Sequence, residues 1–283
     1  MKVKFPERKK DWISSAESIQ YHRYYPIHIQ YVLNLLKHVG ATIEMIDPTE
    51  FKVRSQVIFD CVIDEKTVRF DFSDFEKLND NLIDSCHVYF KFHYNDSHLK
   101  YKNVFPFTPV NFHNWTEYHE LDKCISYNAK GLVLNNQTPF GAALERRSYV
   151  HKILLEKYGN KLSFDRKTQR EFFLLINKGL VSICVPGARN NMLDRGQCQY
   201  MAFGACTISP KLVTRLSWNK KLKSGVHYLE CKEDYSDLIE KIEWVKNNPS
   251  LAIEIGKNAK KLFKNTSTPR KQIQWIKNCI ELC

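Results

Sequence analysis

The stretch from Val181 to Pro210, VSICVPGARNNMLDRGQCQYMAFGACTISP, constrains the fold more than any other. Val181 to Val185 is a short apolar run, suited to a strand buried on both faces. Pro186-Gly187 ends it, and a polar loop from Ala188 to Asp194 carries Arg189, Asn190 and Asn191. A helix is expected from near Asp194 to about Phe203, with Gly204 in the position of a helix C-terminal glycine. Ala205 to Ile208 forms a second apolar strand, closed by Pro210. Two buried strands joined by a helix predict a parallel crossover. The loop after the first strand then lies where open α/β sheets bind ligands, and the following helix start favours anions.

Charge is unevenly placed along the chain. Residues 1–150 carry 19 Lys and Arg against 19 Asp and Glu, whereas residues 151–283 carry 24 against 12. The whole excess of +12 therefore falls in the second half. A basic half beside a neutral half predicts two domains, one of which meets an anion. Solvated surface lysines explain most of the same charge. The turn-rich NNQTPFGAA places the expected boundary at 137, giving an N-terminal domain, 1–137, and a C-terminal domain, 138–283. No apolar run approaches the ~20 residues of a membrane span. The opening MKVKFPERKKDW has no apolar core, so no secretory signal is expected. Nine cysteines, an odd number without CxxC spacing, favour reduced thiols and a cytoplasmic location.

Along the first half, residues 1–20 read as a polar, basic lead-in with Trp12. IHIQYVLNLLKHVG repeats apolar residues at helical spacing, and ATIEMI reads as a strand. QVIFDCVID and TVRFDF could pair as a hairpin across Glu65-Lys66. Val88, Phe90 and Phe92 alternate with Tyr89 and Lys91 as in a strand. The aromatic segment after Tyr101 contains Pro106 and Pro109 and reads as irregular; it could line a ligand or fill the core. In LERRSYVHKILLEKYG the apolar face is expected to hold Tyr149, Ile153, Leu154 and Tyr158. Arg146 and Arg147 fall in its first turn, where the helix dipole disfavours cations, so they either face an anion or lie on the surface. Asn248 and Thr268 are expected as helix caps, each followed by proline.

Three segments in the second half resemble the C-terminal half of GT-B glycosyltransferases, in particular the CgeB/YkvP-like group, with similarity to the CAP10 (GT90) family. QYMAFGACTIS resembles that group's E-A-x-A-x-G-x-x-x-I segment. GARNNMLDRGQ places arginines just before the helix. SGVHYLECKEDYSDLIEKIEWVKNNPSLAIEIGKNAKKLF is similar to a G-x-x-Y segment followed by D-L-x-x-K-I and two terminal helices. Together they cover about a third of the chain, and VYFKFHYN upstream extends the likeness more weakly. The resemblance implies an α/β, GT-B-like protein of two Rossmann-like domains facing a cleft, the N-terminal one reduced. It also implies a glycosyltransferase, a hexosyltransferase, moving sugar from a nucleotide-sugar donor to a hydroxyl acceptor such as a glycan, a lipid-linked group or a protein. Two departures stand out: Gln199 replaces the glutamate that grips the donor ribose, and the usual N-terminal glycine-rich loop is not recognisable.

Such a transfer releases a diphosphate, whose charge is met by a metal or by fixed cations and helix N–H groups. The second route fits here, with no metal and no cofactor expected. Arg189 and Arg195 would hold the diphosphate. Gly187, Asn190, Gln199 and Tyr228 complete the expected donor set; turn chemistry also explains Asn190, and core packing also explains Tyr228. Asp71-Phe72-Ser73-Asp74 is one residue too long for a DxD metal motif. His93 and Asp96, just past the VYFKF strand, are the candidate base for the acceptor hydroxyl, with His113, His119 and Glu117 as competitors. A non-catalytic module that holds a nucleotide or glycan is the alternative. Nucleic acid is not expected as a partner, because no long Lys/Arg run or RNA-binding signature occurs. A basic surface could also dock on anionic lipid, and the sequence leaves the oligomeric state open.

Overall fold

A computed structural model describes residues 1–7, 27–52, 57–108, 110, 114–165, 167–187 and 189–283. The expected lead-in around Trp12, the competitor His113, and Pro109 lie outside these residues. The chain divides into two compact units. The first comprises residues 1–115, 215–220 and 266–283, and the second comprises 116–214 and 221–265. The division therefore falls at 115 instead of the expected 137, because the residues from 116 onward pack within the second unit. The C-terminal helix, in turn, returns to the first.

The first unit contains β1 (Lys2–Pro6), α1 (Ile27–His38), β2 (Thr42–Ile46), β3 (Ile58–Ile63), β4 (Lys66–Asp71), α2 (Asp80–Ile83), β5 (Val88–Lys91) and β6 (Val104–Pro106). Its sheet runs in the order β2-β1-β3-β4-β5-β6. β1/β2, β4/β5 and β5/β6 pair in parallel; β1/β3 and β3/β4 are antiparallel. The hairpin forms one residue earlier than expected. Asp64 and Glu65 both take positive φ, the backbone twist that a two-residue hairpin turn requires.

Both faces of β4 and β5 are buried, for different reasons. One face is aromatic: the Phe70 ring lies 5.3 Å from Phe90 and 5.1 Å from Phe107, and α1 covers this face through His28 stacked on Phe72 and Tyr31 against Phe107. The aromatic segment thus contributes to the core, Phe107 and Trp115 being buried. The other face is polar and fully paired. Arg69 lies directly across the ladder from Asp60, with bonds of 2.6 and 2.8 Å. Two residues on, Asp71 lies across from Lys91 at 3.0 Å.

The second unit contains most of α3 (Trp115–Cys124), then β7 (Leu132–Leu134), α4 (Leu144–Tyr158), β8 (Leu162–Ser163), α5 (Gln169–Leu174), β9 (Gly179–Ile183), α6 (Arg195–Ala202) and β10 (Thr207–Pro210). It continues with β13 (Leu229–Cys231), α7 (Leu238–Asn247) and α8 (Pro249–Thr266), while β11 (Arg215–Leu216), paired with β12 (Lys220–Lys221), belongs to the first unit's residues 215–220. The last helix, α9 (Pro269–Leu282), packs on α1 in the first unit. α3 begins only after the prolines, where the sequence reads as irregular.

The second unit's five-stranded sheet is parallel throughout, in the order β13-β10-β9-β7-β8. The expected β9–α6–β10 crossover is present, with Thr207 beside Ser182 and Ile208 beside Ile183. Gly204, at φ +77°, ends α6 as expected. It also receives α8 at very close range, since a Cβ on Gly256 would lie 2.0 Å from the Gly204 carbonyl oxygen. The apolar face of α4 is rotated from the expected one. Val150 and Leu154 are buried whereas Tyr149 is exposed, because the phase is set by packing on the sheet instead of by the nearest aromatic. Asn248 precedes α8, but its side-chain amide donates to the Trp244 carbonyl and so caps the end of α7 instead.

Among the described residues no helix is long and apolar enough to cross a membrane. No three His, Cys, Asp or Glu side chains among them gather as metal ligands. All nine cysteines are free thiols.

Candidate functional site

In chain order the second unit's strands are β7, β8, β9, β10 and β13, so the sheet order is second-first-third-fourth-fifth. The direction of winding reverses between β7 and β9. In open parallel sheets, the crevice outside the carboxyl ends of the strands at such a reversal is where ligands bind. Here that edge is formed by residues 135–138 after β7 and by 184–187 and 189–194 after β9.

Buried side chains tie these loops together and fix the amide orientations. Gln137 Oε1 accepts from the Val185 N–H at 2.6 Å. Asn135 Nδ2 donates to the Ile183 carbonyl at 3.2 Å. Asn136 Nδ2 donates to Ser163 Oγ and to the Asp165 carbonyl. With those ends committed, the other end of each amide is buried without a protein partner: Asn135 Oδ1, Asn136 Oδ1 and Gln137 Nε2. Arg146 Nε and Asn191 Oδ1 share that state. Each such group costs about 1–3 kcal/mol if nothing meets it. The edge therefore presents two donors and three acceptors, a complement for a ligand bearing both anionic oxygens and hydroxyls.

The two arginines of α4 close the edge. Arg147 donates to the Val185 carbonyl from Nε and Nη2, at 3.2 and 3.1 Å, and to the Thr138 carbonyl at 3.0 Å. Its Nη2 also pairs with Asp194 Oδ2 at 3.2 Å. Arg146 donates to the carbonyls of Pro186 and Gly187. Tyr235 completes the group. It is buried, holds φ +61°, and donates to Asn190 Oδ1 at 2.6 Å. A non-glycine residue held in that backbone region stores strain, a feature concentrated at binding sites. Burial pushes the Tyr235 phenol well up, against the opposing pull of Arg146 and Arg147.

The residues singled out from sequence distribute unevenly around this edge. Gly187 lies on it, with open space where a Cβ would project. Asn190 is on it too, but its amide is committed to Tyr235 and to the Glu233 carbonyl at 2.8 Å. Arg189 is half-buried in the loop, and its carbonyl accepts from Met192 N. Arg195 is the first residue of α6 and half-buried. Asp194 caps that helix, accepting from Gly196 N at 2.7 Å, so a carboxylate of the chain itself already meets the helix start. Gln199 is half-buried on α6, and the glutamine that enters the core is Gln197, bonded to Thr207 and Ser209. Tyr228 is buried just before β13. Its hydroxyl accepts from Leu212 N and donates to Glu230, and burial pushes it up to about 12.

In the first unit, His93 and Asp96 do not form a pair. The Asp96 carboxylate accepts from Arg215 Nε at 2.6 Å. His93 is buried, and its Nδ1 lies 3.6 Å from Asp74 Oδ1. Glu117, a competitor, binds Arg170 at 3.1 Å in the second unit. Beside His93, Lys91 donates to the Ser73 carbonyl at 2.6 Å and to Ser73 Oγ, and Tyr89 donates to Asp71 at 2.6 Å. Burial lowers the Lys91 ammonium despite Asp71.

No protein-family model matches this chain, and no curated protein is similar to it at a significant level.

Four residues at the edge carry roles that local sequence patterns do not assign: Asn135, Gln137, Arg147 and Tyr235. The available signals were the NNQTP run directly after an apolar strand and two arginines in a helix turn that disfavours cations.

Proposed function

We propose that the second unit binds a nucleotide-sugar donor at the carboxyl edge of β7 and β9, and that the protein is a metal-independent glycosyltransferase of GT-B type. The observation that carries this reading is the winding reversal between β7 and β9, bordered by buried side-chain atoms with unused hydrogen-bonding capacity. In this account Arg146 Nε and Gln137 Nε2 meet the diphosphate, with Arg189 and Arg195 adding charge from the β9–α6 loop. Asn135, Asn136 and Asn191 accept from ribose or sugar hydroxyls. The first unit takes the hydroxyl acceptor, with His93 as the base and Asp74, in place of Asp96, as its carboxylate neighbour. The segment resemblance to GT-B enzymes supports the same assignment.

One observation favours the alternative of a non-catalytic nucleotide- or glycan-binding module. Asp194 places a carboxylate at the start of α6, where a leaving diphosphate would otherwise sit, and like charges there repel. Incubation with UDP-, GDP- and CDP-sugars and a panel of hydroxyl acceptors separates the two readings. Nucleotide release that depends on acceptor supports the transferase. Binding of nucleotide with no release on any acceptor supports the module.

A further inference from the structure

At the opposite, amino-terminal edge of the same sheet lies a second cavity, of 760 Å³. Its rim carries four lysines, Lys130, Lys157, Lys161 and Lys246, against one carboxylate, Glu243. Both oxygens of Glu243 are engaged, by Lys246 Nζ at 3.1 Å and Tyr158 OH at 3.2 Å. Lys130, Lys157 and Lys161 form no ion pair among the described residues.

Helix dipoles account for only part of this cluster. Lys157 and Lys246 lie in the last turns of α4 and α7, where a cation is favoured. Lys161 closes the single 3₁₀ turn that follows α4, and Lys130 lies outside any helix. Lys130 is held between Ala129 at φ +54° and Gly131 at φ +98°, and the Gly131 backbone is pressed against the Lys178 carbonyl. The excess of positive charge around one concavity favours an anion there. The start of α8 at Pro249 adds its positive end to the same cavity. The floor is apolar, with Leu132 and Leu180.

We propose that this cavity is a second anion site, built for a group carrying two or more phosphates. The spread of four lysines around a space this large suits an oligophosphate better than a single phosphate. The site is independent of the switch-point edge and of any activity there. The ligand is either a soluble oligophosphate or the phosphorylated headgroup of a lipid, and two probes distinguish these sources.

The test uses full-length protein carrying Arg146→Ala, which weakens anion binding at the other edge, with and without Lys157→Ala plus Lys161→Ala. Inorganic tripolyphosphate is titrated calorimetrically. Flotation is measured with phosphatidylcholine vesicles with and without phosphatidylinositol 4,5-bisphosphate. The lysines are exposed, and a matching circular dichroism melt establishes that the variant is folded. Binding of either probe that weakens about tenfold or more in the lysine variant supports the site, and the probe that binds identifies the source. Absence of binding by both probes, or binding unchanged by the lysine substitutions, overturns it.

Discussion

Arg147 Nη2 and Asp194 Oδ2 lie 3.2 Å apart, although 47 residues separate them in sequence. The pair joins the first turn of α4 to the cap of α6. Through the Val185 and Thr138 carbonyls, the same guanidinium also joins the loops after β7 and β9. Its planar fork serves three partners at once, which a lysine ammonium cannot reproduce. Arg147→Ala leaves a half-buried carboxylate and two carbonyls without this donor. A loss of about 2–4 kcal/mol is expected in urea unfolding, and Arg147→Lys recovers less than half of it.

The contact between α6 and α8 permits no side chain. A Cβ at Gly256 would lie 2.0 Å from the Gly204 oxygen, and backbone atoms cannot step aside as a flexible side chain can. Gly256→Ala should destabilise the protein by about 3 kcal/mol, visible as a lower thermal midpoint.

Lys91 and Asp71 face each other in register across β4 and β5, both buried. Lys91→Met strands the carboxylate and is expected to cost about 3–5 kcal/mol in chemical unfolding. Adding Asp71→Asn to that variant removes the stranded charge and should restore part of the loss.

His98 sets a pH dependence in the first unit. Its Nδ1 accepts from Asn95 N at 3.0 Å, and its Nε2 lies 2.6 Å from the Glu76 carbonyl, an arrangement that requires the neutral ring. Burial lowers its affinity for a proton below the ordinary value of 6.5, outweighing the Glu76 carbonyl. Above 6.5 neither folded nor unfolded chain holds the proton. Below it the unfolded chain binds one that the folded chain resists, so stability falls with pH until the folded ring also titrates. The wild-type unfolding free energy should therefore drop more steeply between pH 7 and 5 than that of His98→Gln in urea titrations, by at most about 1.4 kcal/mol per pH unit.

The crossover from β9 through α6 to β10 was legible because apolar runs, a cap and a C-terminal glycine are local signals. The role of Arg147 was not, since its partners lie up to 47 residues away. Phase errors of one residue explain the α4 face: Tyr149 and Val150 are both apolar, and only the sheet decides which is buried. The Asp96 partner is equally remote, since Arg215 lies 119 residues on. The return of α9 to the first unit leaves no mark in a pattern that reads only as an amphipathic helix. Gln199 and Gln197 differ by two positions on α6, and the resemblance pointed to one while packing buries the other.

The most direct measurement is calorimetric titration of UDP, GDP and CDP into the wild-type protein and into Arg146→Ala. Arg146 is chosen because its Nε is buried without a protein partner, whereas Arg147 holds the fold. Saturable binding of at least one nucleotide, weakened about tenfold or more by Arg146→Ala in a variant that still unfolds cooperatively, is the predicted result. Failure of all three nucleotides to bind, or affinity indifferent to Arg146, would contradict the placement of a donor site at the β7/β9 edge.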